Sequence, residues 1–513
     1  MSAHDPPADD GSTDTPADQH GSDAVVSLSP LDAAIADAVA LLSGPGLDRL
    51  DDPPSPRELE ALWGPAALAG LAALRADLDG QRLGLAISGG GALGSFEAGA
   101  LRFLYDHVDI APVAVSGNSA GALNAAKLAH GDGPDGTRAI DELEDLWRSM
   151  RINPDMWEPE PWLARILASA QWASAIRGEI SSTSSAANAV RVAARVVGSF
   201  VRRPEETDGT LDAIRDALKA QSLLSLAPVA ALIDRHLDLD RIAASGIALR
   251  VGTVSLESGE LRYVTQTGAL HDRHDEPLDL PPVRLADGIL ASASIPLAFP
   301  PVQLGDEHYV DGGAREILPL EVLVEHLHVD RAIAVSASSA TIDRAGSFAE
   351  RNLLDILRRV SAEIATNETL RKELDPPGGW GPAVRLVVPQ VDVHDAMTID
   401  PALIAISLDY GWLRAADVLL GLDEEACAHS TALTEARMGL RRHAGPLPSL
   451  FGTEDPEATP VDDVDTLTAR LRRHVRARRA SGAPVPPGLL AWDDQPVEEQ
   501  PPLGGERSAR ERS

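Results

Sequence analysis

Three short stretches hold groups that can carry out acyl chemistry. Ser119 stands in Gly117-Asn118-Ser119-Ala120-Gly121, behind the short β-branched run 112–116 and ahead of the helix formers 122–128. A strand, a sharp Gly-x-Ser-x-Gly turn and a helix together lift a serine hydroxyl to a strand tip, beside a helix N-terminus that favours a developing anion. Gly89-Gly90-Gly91-Ala92-Leu93-Gly94 leaves several backbone N–H groups free to converge, as an oxyanion hole requires. Tyr309-Val310-Asp311-Gly312-Gly313 ends a strand in a carboxylate that can take a proton from a serine hydroxyl. Each stretch also has a plain structural alternative: a Gly/Ser-rich loop, a glycine turn, an Asp-Gly-Gly turn.

The elements that must hold these groups are legible in the hydrophobic pattern. Residues 82–88, 112–116, 246–254, 331–336 and 384–388 read as buried strands and are expected in one central sheet. Residues 261–265 form a hairpin with 246–254 around the turn 257–260. Helical patterns alternate with the strands, which predicts a sheet covered on both faces. Helix is expected over 95–107, near Ala286, over 348–374 and from 406 to about 479.

In type and order, the three stretches resemble the patatin-like phospholipase family. The run 291–301, Ala-Ser-Ala-Ser-Ile-Pro-Leu-Ala-Phe-Pro-Pro, also resembles the family's segment ahead of Asp-Gly-Gly. The resemblance spans 82–320 and extends less clearly to about 418. It implies a three-layer α/β/α sandwich with a helical insertion and helical flanks, and a serine–aspartate dyad that cleaves lipid acyl esters of the phospholipase A or lysophospholipase type. On this resemblance Ser119 is the nucleophile and Asp311 the base. Gly89, Gly90 and Gly91 form the oxyanion hole, with Gly94, Gly117, Gly121, Gly312 and Gly313 supporting the motifs. Two positions depart from the family: Leu93 stands where a basic residue is common, and Leu318 where asparagine commonly precedes proline.

Composition bounds the reading. The chain has 513 residues, 44% hydrophobic and 24% charged, which is ordinary for a globular protein. A net charge of -33 argues against nucleic-acid binding and opposes adsorption to anionic membranes. The single cysteine, Cys427, excludes an internal disulfide framework and a multi-cysteine metal site. No metal or other cofactor is expected, and oligomeric state is left open. Residues 1–30 carry six aspartates and no Lys or Arg, an acidic tail without the features of a secretory signal. The expected organisation continues with a helical extension over 31–81 and a catalytic domain over 82–420 with a helical insertion at 141–237. A helical segment over 421–480 and a tail over 481–513 follow. With no signal and no spanning stretch, a cytoplasmic protein with peripheral membrane contact is expected.

Rival readings use the same residues. Gly89-x-Gly91-x-x-Gly94 also fits a dinucleotide-binding turn, with Asp109 as its acidic partner. A Ser-Asp-His triad of a general carboxylesterase would draw on His326, His328, His394, His429, His443 or His474, none in a distinctive context. A non-enzymatic lipid-binding protein could keep the fold, but Ser119 and Asp311 are both intact. Two basic stretches complete the picture. Residues 161–203 carry six arginines against Glu179, and Trp147, Trp157, Trp162 and Trp172 lie in or just ahead of them. Arg191, Arg195 and Arg202 share one helical stripe, a candidate for membrane contact. The six arginines of 470–479 read as a solvated helix face paired with Asp462, Asp463 and Asp465.

Overall fold

A parallel strand buried on both faces needs apolar side chains at every position, and the run Leu83–Ile87 has no polar side chain. In the computed structural model it is the centre of a nine-stranded sheet. The structure describes residues 54–133, 135–167, 220–296, 298–339, 341–342, 344, 347–348, 356, 359–445, 447–449, 452–453 and 462–492. The acidic tail, most of the basic stretch 161–203 with Trp172 and its arginine stripe, and residues 493–513 of the C-terminal tail lie outside these residues. Residues 481–492, expected to belong to a disordered tail, instead pack into the core, because Val485, Leu489 and Trp492 are apolar and buried there.

In chain order the elements are α1 (Pro56–Glu60), α2 (Pro65–Leu78), β1 (Leu83–Ile87), α3 (Gly94–Phe103), β2 (Ala114–Gly117), α4 (Ala120–Leu128), α5 (Ala139–Ser149), α6 (Pro161–Leu167), α7 (Ala227–His236) and α8 (Leu239–Ala244). Then follow β3 (Ala248–Ser255), β4 (Leu261–Thr265), β5 (Leu270–His271), α9 (Leu285–Ser292), β6 (Val302–Leu304), β7 (Glu307–Asp311), β8 (Arg331–Val335), α10 (Ala365–Leu374), β9 (Val384–Val387), α11 (Pro401–Leu419), α12 (Glu424–His443) and α13 (Val464–Ser481). All five predicted strands lie in one sheet, in the order β9-β8-β1-β2-β3-β4-β5. The strands from β9 to β3 run parallel, and β4, β5 and β7 add antiparallel edges.

The register of β3 does the positioning. Its first half pairs with β2, so that Val251 lies opposite Gly117. Its second half continues past the end of β2 and pairs with β7, so that Thr253 lies opposite Asp311. One long strand therefore brings the aspartate to the same sheet end as the serine, although the two are far apart in the chain.

Core packs on both faces. On one side, Ala86, Tyr263, Val310, Leu318, Leu323 and Leu370 form one cluster. On the other, helices α3, α4 and α11 share a larger cluster with Leu71 and Leu74 of α2 and Leu471 and Val475 of α13. Helices α3 and α11 cross at backbone contact: a side chain on Gly99 would strike Leu408 O, and one on Gly411 would strike Phe96 O. The N-terminal helices meet the C-terminal ones where Gly64 N–H donates to Gly482 O at 2.8 Å.

The insertion departs from its expected character in one respect. Trp147, Trp157 and Trp162 are core residues, not interfacial ones. Each is buried, and each indole N–H finds an internal acceptor: Asn124 Oδ1, Met397 O and Ser222 O respectively. Burying a large ring with its one donor satisfied is the stable arrangement for tryptophan. Glu158–Pro159 pairs with Leu224–Ser225, which brings the two ends of the intervening segment together. The arginine run of α13 departs as well. Arg470 pairs with Asp462 as expected, but Arg478 is fully buried and pairs with Asp417 at 2.9 Å. The reason is its position on the face that carries Leu467, Leu471 and Val475 into the core.

Candidate active site

Ser119 takes up the backbone conformation expected of a nucleophile elbow, φ 54° and ψ −127°. A positive φ is strained for a residue with a Cβ, and such strain survives only where neighbours impose it. The neighbours are tight. A side chain on Gly121 would collide with Ser88 O and Ile87 O, so the start of α4 lies directly on the end of β1. A side chain on Gly89 would come within 2.9 Å of Ser119 Cβ, so the glycine-rich loop borders the nucleophile.

The Asp311 carboxylate is buried beside the serine. Its Oδ1 accepts the Gly313 N–H at 2.7 Å, and the Ser119 side chain lies near enough to lower its proton affinity. Burial pushes its pKa up to about 6, against the opposing pull of the Gly313 N–H and of Ser119. That is an acid able to exchange a proton near neutrality.

The run 291–301 contributes contacts its sequence did not disclose. Ser292 Oγ accepts the Ser119 N–H at 3.0 Å, and Ser294 O accepts the Asp311 N–H at 3.0 Å. The repeated serines of Ala-Ser-Ala-Ser were the available signal, since a small hydroxyl at a helix end can serve a neighbouring backbone group. Asn118 was also passed over. Its Nδ2 donates to Glu316 O at 2.5 Å, and its Oδ1 lies against Gly252 and Gly312.

In the glycine-rich loop the three N–H groups are not equivalent. Gly89 N–H donates to Ile317 O at 3.3 Å, whereas no described acceptor takes those of Gly90 and Gly91. The Gly90 and Gly91 N–H groups are therefore left without an acceptor among the described residues. Leu93 is buried, so no charge stands where the family commonly has one. Beneath the loop, fully buried Glu97 accepts Ser88 Oγ and Asn124 Nδ2, each at 2.9 Å. Asn124 also donates to Gly94 O at 3.0 Å, and Ser88 Oγ accepts the Ala337 N–H at 2.8 Å. Burial pushes the Glu97 carboxyl well above its ordinary range. A neutral acid can hold this network without an uncompensated charge.

The rival readings lose their geometry. Asp109 precedes β2, whereas a ribose-binding acid belongs at the carboxyl end of the second strand. Among the candidate histidines, His326 meets His274 edge-on, His394 bonds Asp395 O, His429 bonds His474, and His443 bonds Asp462 O. None is a hydrogen-bond partner of Asp311 among the described residues. A cavity of about 1010 Å³ lined by Arg75, Tyr105 and Asp109 opens at the N-terminal ends of β1 and β2, the wrong end of the sheet for Ser119. No helix among the described residues is long and apolar enough to cross a membrane.

Residues 85–324 match the family model of patatin-like phospholipases. Among solved structures, VipD from Legionella pneumophila is similar at 15% identity and a TM-score of 0.32, over 78% of this chain and 81% of that one. Human GIVD cytosolic phospholipase A2 is similar at 10% identity and a TM-score of 0.30, over 76% of this chain and 65% of that one. The type III effector protein ExoU is similar at 15% identity and a TM-score of 0.25, over 78% and 61%. No curated protein matches. The chain carries a patatin-like phospholipase domain and is, through that domain, a lipid acyl hydrolase.

Proposed function

We propose that the chain hydrolyses the acyl ester of a phospholipid or lysophospholipid through Ser119 and Asp311. The observation that carries this reading is the strained serine placed beside a buried carboxylate whose pKa is pushed up to about 6. Asp311 takes the hydroxyl proton as Ser119 Oγ attacks the ester carbonyl carbon. The carbonyl oxygen becomes an oxyanion held by the free N–H groups of Gly90 and Gly91, at the glycine-rich turn that precedes α3. The tetrahedral intermediate collapses, the alcohol leaves with the proton from Asp311, and an acyl-Ser119 ester remains. Asp311 then removes a proton from water, the hydroxide attacks the acyl carbon, and the fatty acid departs as Ser119 recovers its proton. The domain organisation we propose places this chemistry in 82–420, with the segments on either side serving as helical support.

Ser119→Ala decides the matter. Turnover of phospholipid and of a soluble short-chain ester is expected to vanish while circular dichroism stays unchanged. A folded Ser119→Ala protein that still hydrolyses both would end the proposal. Wild-type protein is expected to be labelled once, at Ser119, by a fluorophosphonate, as peptide mass analysis would read.

A further inference from the structure

Residues 316–319 have no helix or strand of their own, yet they touch the nucleophile turn, the glycine-rich loop and the aspartate turn of the site. Glu316 O accepts Asn118 Nδ2 at 2.5 Å, next to the nucleophile. Ile317 O accepts Gly89 N–H at 3.3 Å, in the glycine-rich loop. Pro319 O accepts Ser116 Oγ at 2.5 Å, at the end of β2. Glu316 N–H donates to Gly312 O at 2.9 Å, in the turn that carries Asp311. The carbonyls of this strap therefore face three separate parts of the catalytic centre.

Its N–H groups need acceptors too, because Ile317 and Leu318 are buried and an unmet donor there is costly. Both are met by one side chain. The Glu373 carboxylate of α10 accepts Ile317 N–H at 3.0 and 3.2 Å and Leu318 N–H at 2.9 Å. Charge-assisted bonds of this kind are stronger than those between neutral groups. Glu373 is itself held, since its carbonyl accepts Trp380 Nε1 at 2.6 Å. It lies outside the residues that match the family model.

We propose that Glu373 is a positioning residue for acyl transfer, clamping the 316–319 strap so that Ser119, the glycine-rich loop and Asp311 keep their mutual register. The proposal rests on the serine–aspartate reading of the site. Displacement of reacting groups by about 1 Å can cost about 10²-fold in rate, so a slack strap acts on the chemical step and not on substrate affinity.

The test is steady-state kinetics on a soluble short-chain ester, with Ser119→Ala as control and thermal melts for every variant. Glu373→Ala is expected to lower kcat about tenfold or more with KM within about twofold. Glu373→Gln keeps one acceptor oxygen and is expected to fall between, about threefold below wild type. Ser116→Ala removes the contact on the opposite side of the strap. Its effect on kcat should combine with that of Glu373→Ala less than multiplicatively, because both loosen one segment. A folded Glu373→Ala protein with wild-type kcat overturns the proposal, and so does full multiplicativity. Should Glu373→Ala fail to fold, wild-type kcat in Glu373→Gln overturns it. Turnover surviving in Ser119→Ala would instead overturn the reading of the site, and the clamp with it.

Discussion

Acids drawn out of water are treated in opposite ways in two regions of this molecule. Around Ser119, the carboxyls of Asp311, Glu97, Glu316 and Glu373 are held by hydroxyls, amides and backbone N–H groups. None is ion-paired among the described residues. Where α11, α12 and α13 pack together, buried or half-buried acids meet arginines. Asp400 lies 2.6 Å from Arg441, Asp417 lies 2.9 Å from Arg478, and Asp409 lies 2.7 Å from Arg437. The consequence is visible in proton affinity. With no cation in contact, burial raises Asp311 to about 6, Glu373 to about 7 and Glu316 to about 8. Asp311, the proposed base, has no guanidinium in contact, while the acids that join the helices are given one. On the proposed mechanism the difference separates a region arranged for proton transfer from one arranged for support.

Exchanging a group in each region should separate activity from stability. Asp311→Asn removes the base and is expected to lower kcat by about 10²–10⁴-fold. It also removes a carboxylate that burial disfavours, so its melting temperature at pH 8 should equal or exceed that of wild type. A large loss of stability in this variant would contradict the contrast. Arg478→Ala leaves buried Asp417 with only the longer contact to Arg414 at 3.5 Å as its ion pair and is expected to cost about 3 kcal/mol in denaturant melts. Arg478 also donates to Ala426 O, Ser430 Oγ and Pro484 O, so several acceptors lose their donor together. The kcat of the folded fraction should be unchanged; a stable Arg478→Ala protein would show that the pairing is dispensable.

pH should move the two properties in opposite directions. The folded pKa values of Asp311, Glu373 and Glu316 lie above those of free carboxyls, so the folded state binds protons more tightly than the unfolded one. Their contribution to stability is complete below about pH 4 and is lost as pH rises through about 6, 7 and 8 in turn. Activity, which needs ionised Asp311, should rise through about pH 6 over part of the same range. Parallel pH profiles of kcat and of denaturant midpoint would check this, and profiles that rise together would refute it. The smallest expected effect is that of Ser292→Ala, which removes the acceptor of the Ser119 N–H. A loss of about 1 kcal/mol in stability, with a kcat reduction of a few-fold, follows from one lost hydrogen bond.

The five sheet strands, the elbow serine, the glycine-rich loop and the aspartate turn could all be read directly from residue types. Each depends on local properties: β-branched apolar runs, glycines where chains touch, and small residues at a sharp turn. What reads alike locally parts company in space. Arg470 and Arg478 belong to the same basic run, but helical phase turns one toward solvent and the other into the core. Trp147, Trp157 and Trp162 resemble a surface-seeking cluster in sequence, and their buried acceptors exist only once distant segments have packed. The placement of Asp311 beside Ser119 was implied by family resemblance, whereas its physical cause, a strand β3 long enough to pair with both β2 and β7, is a matter of register. The upward shift of the Asp311 pKa, the engagement of Gly89 N–H by Ile317 and the grip of Glu373 on the 316–319 strap were decided by tertiary structure alone. Burial and hydrogen bonding between segments far apart in the chain have no trace in the local order of residues.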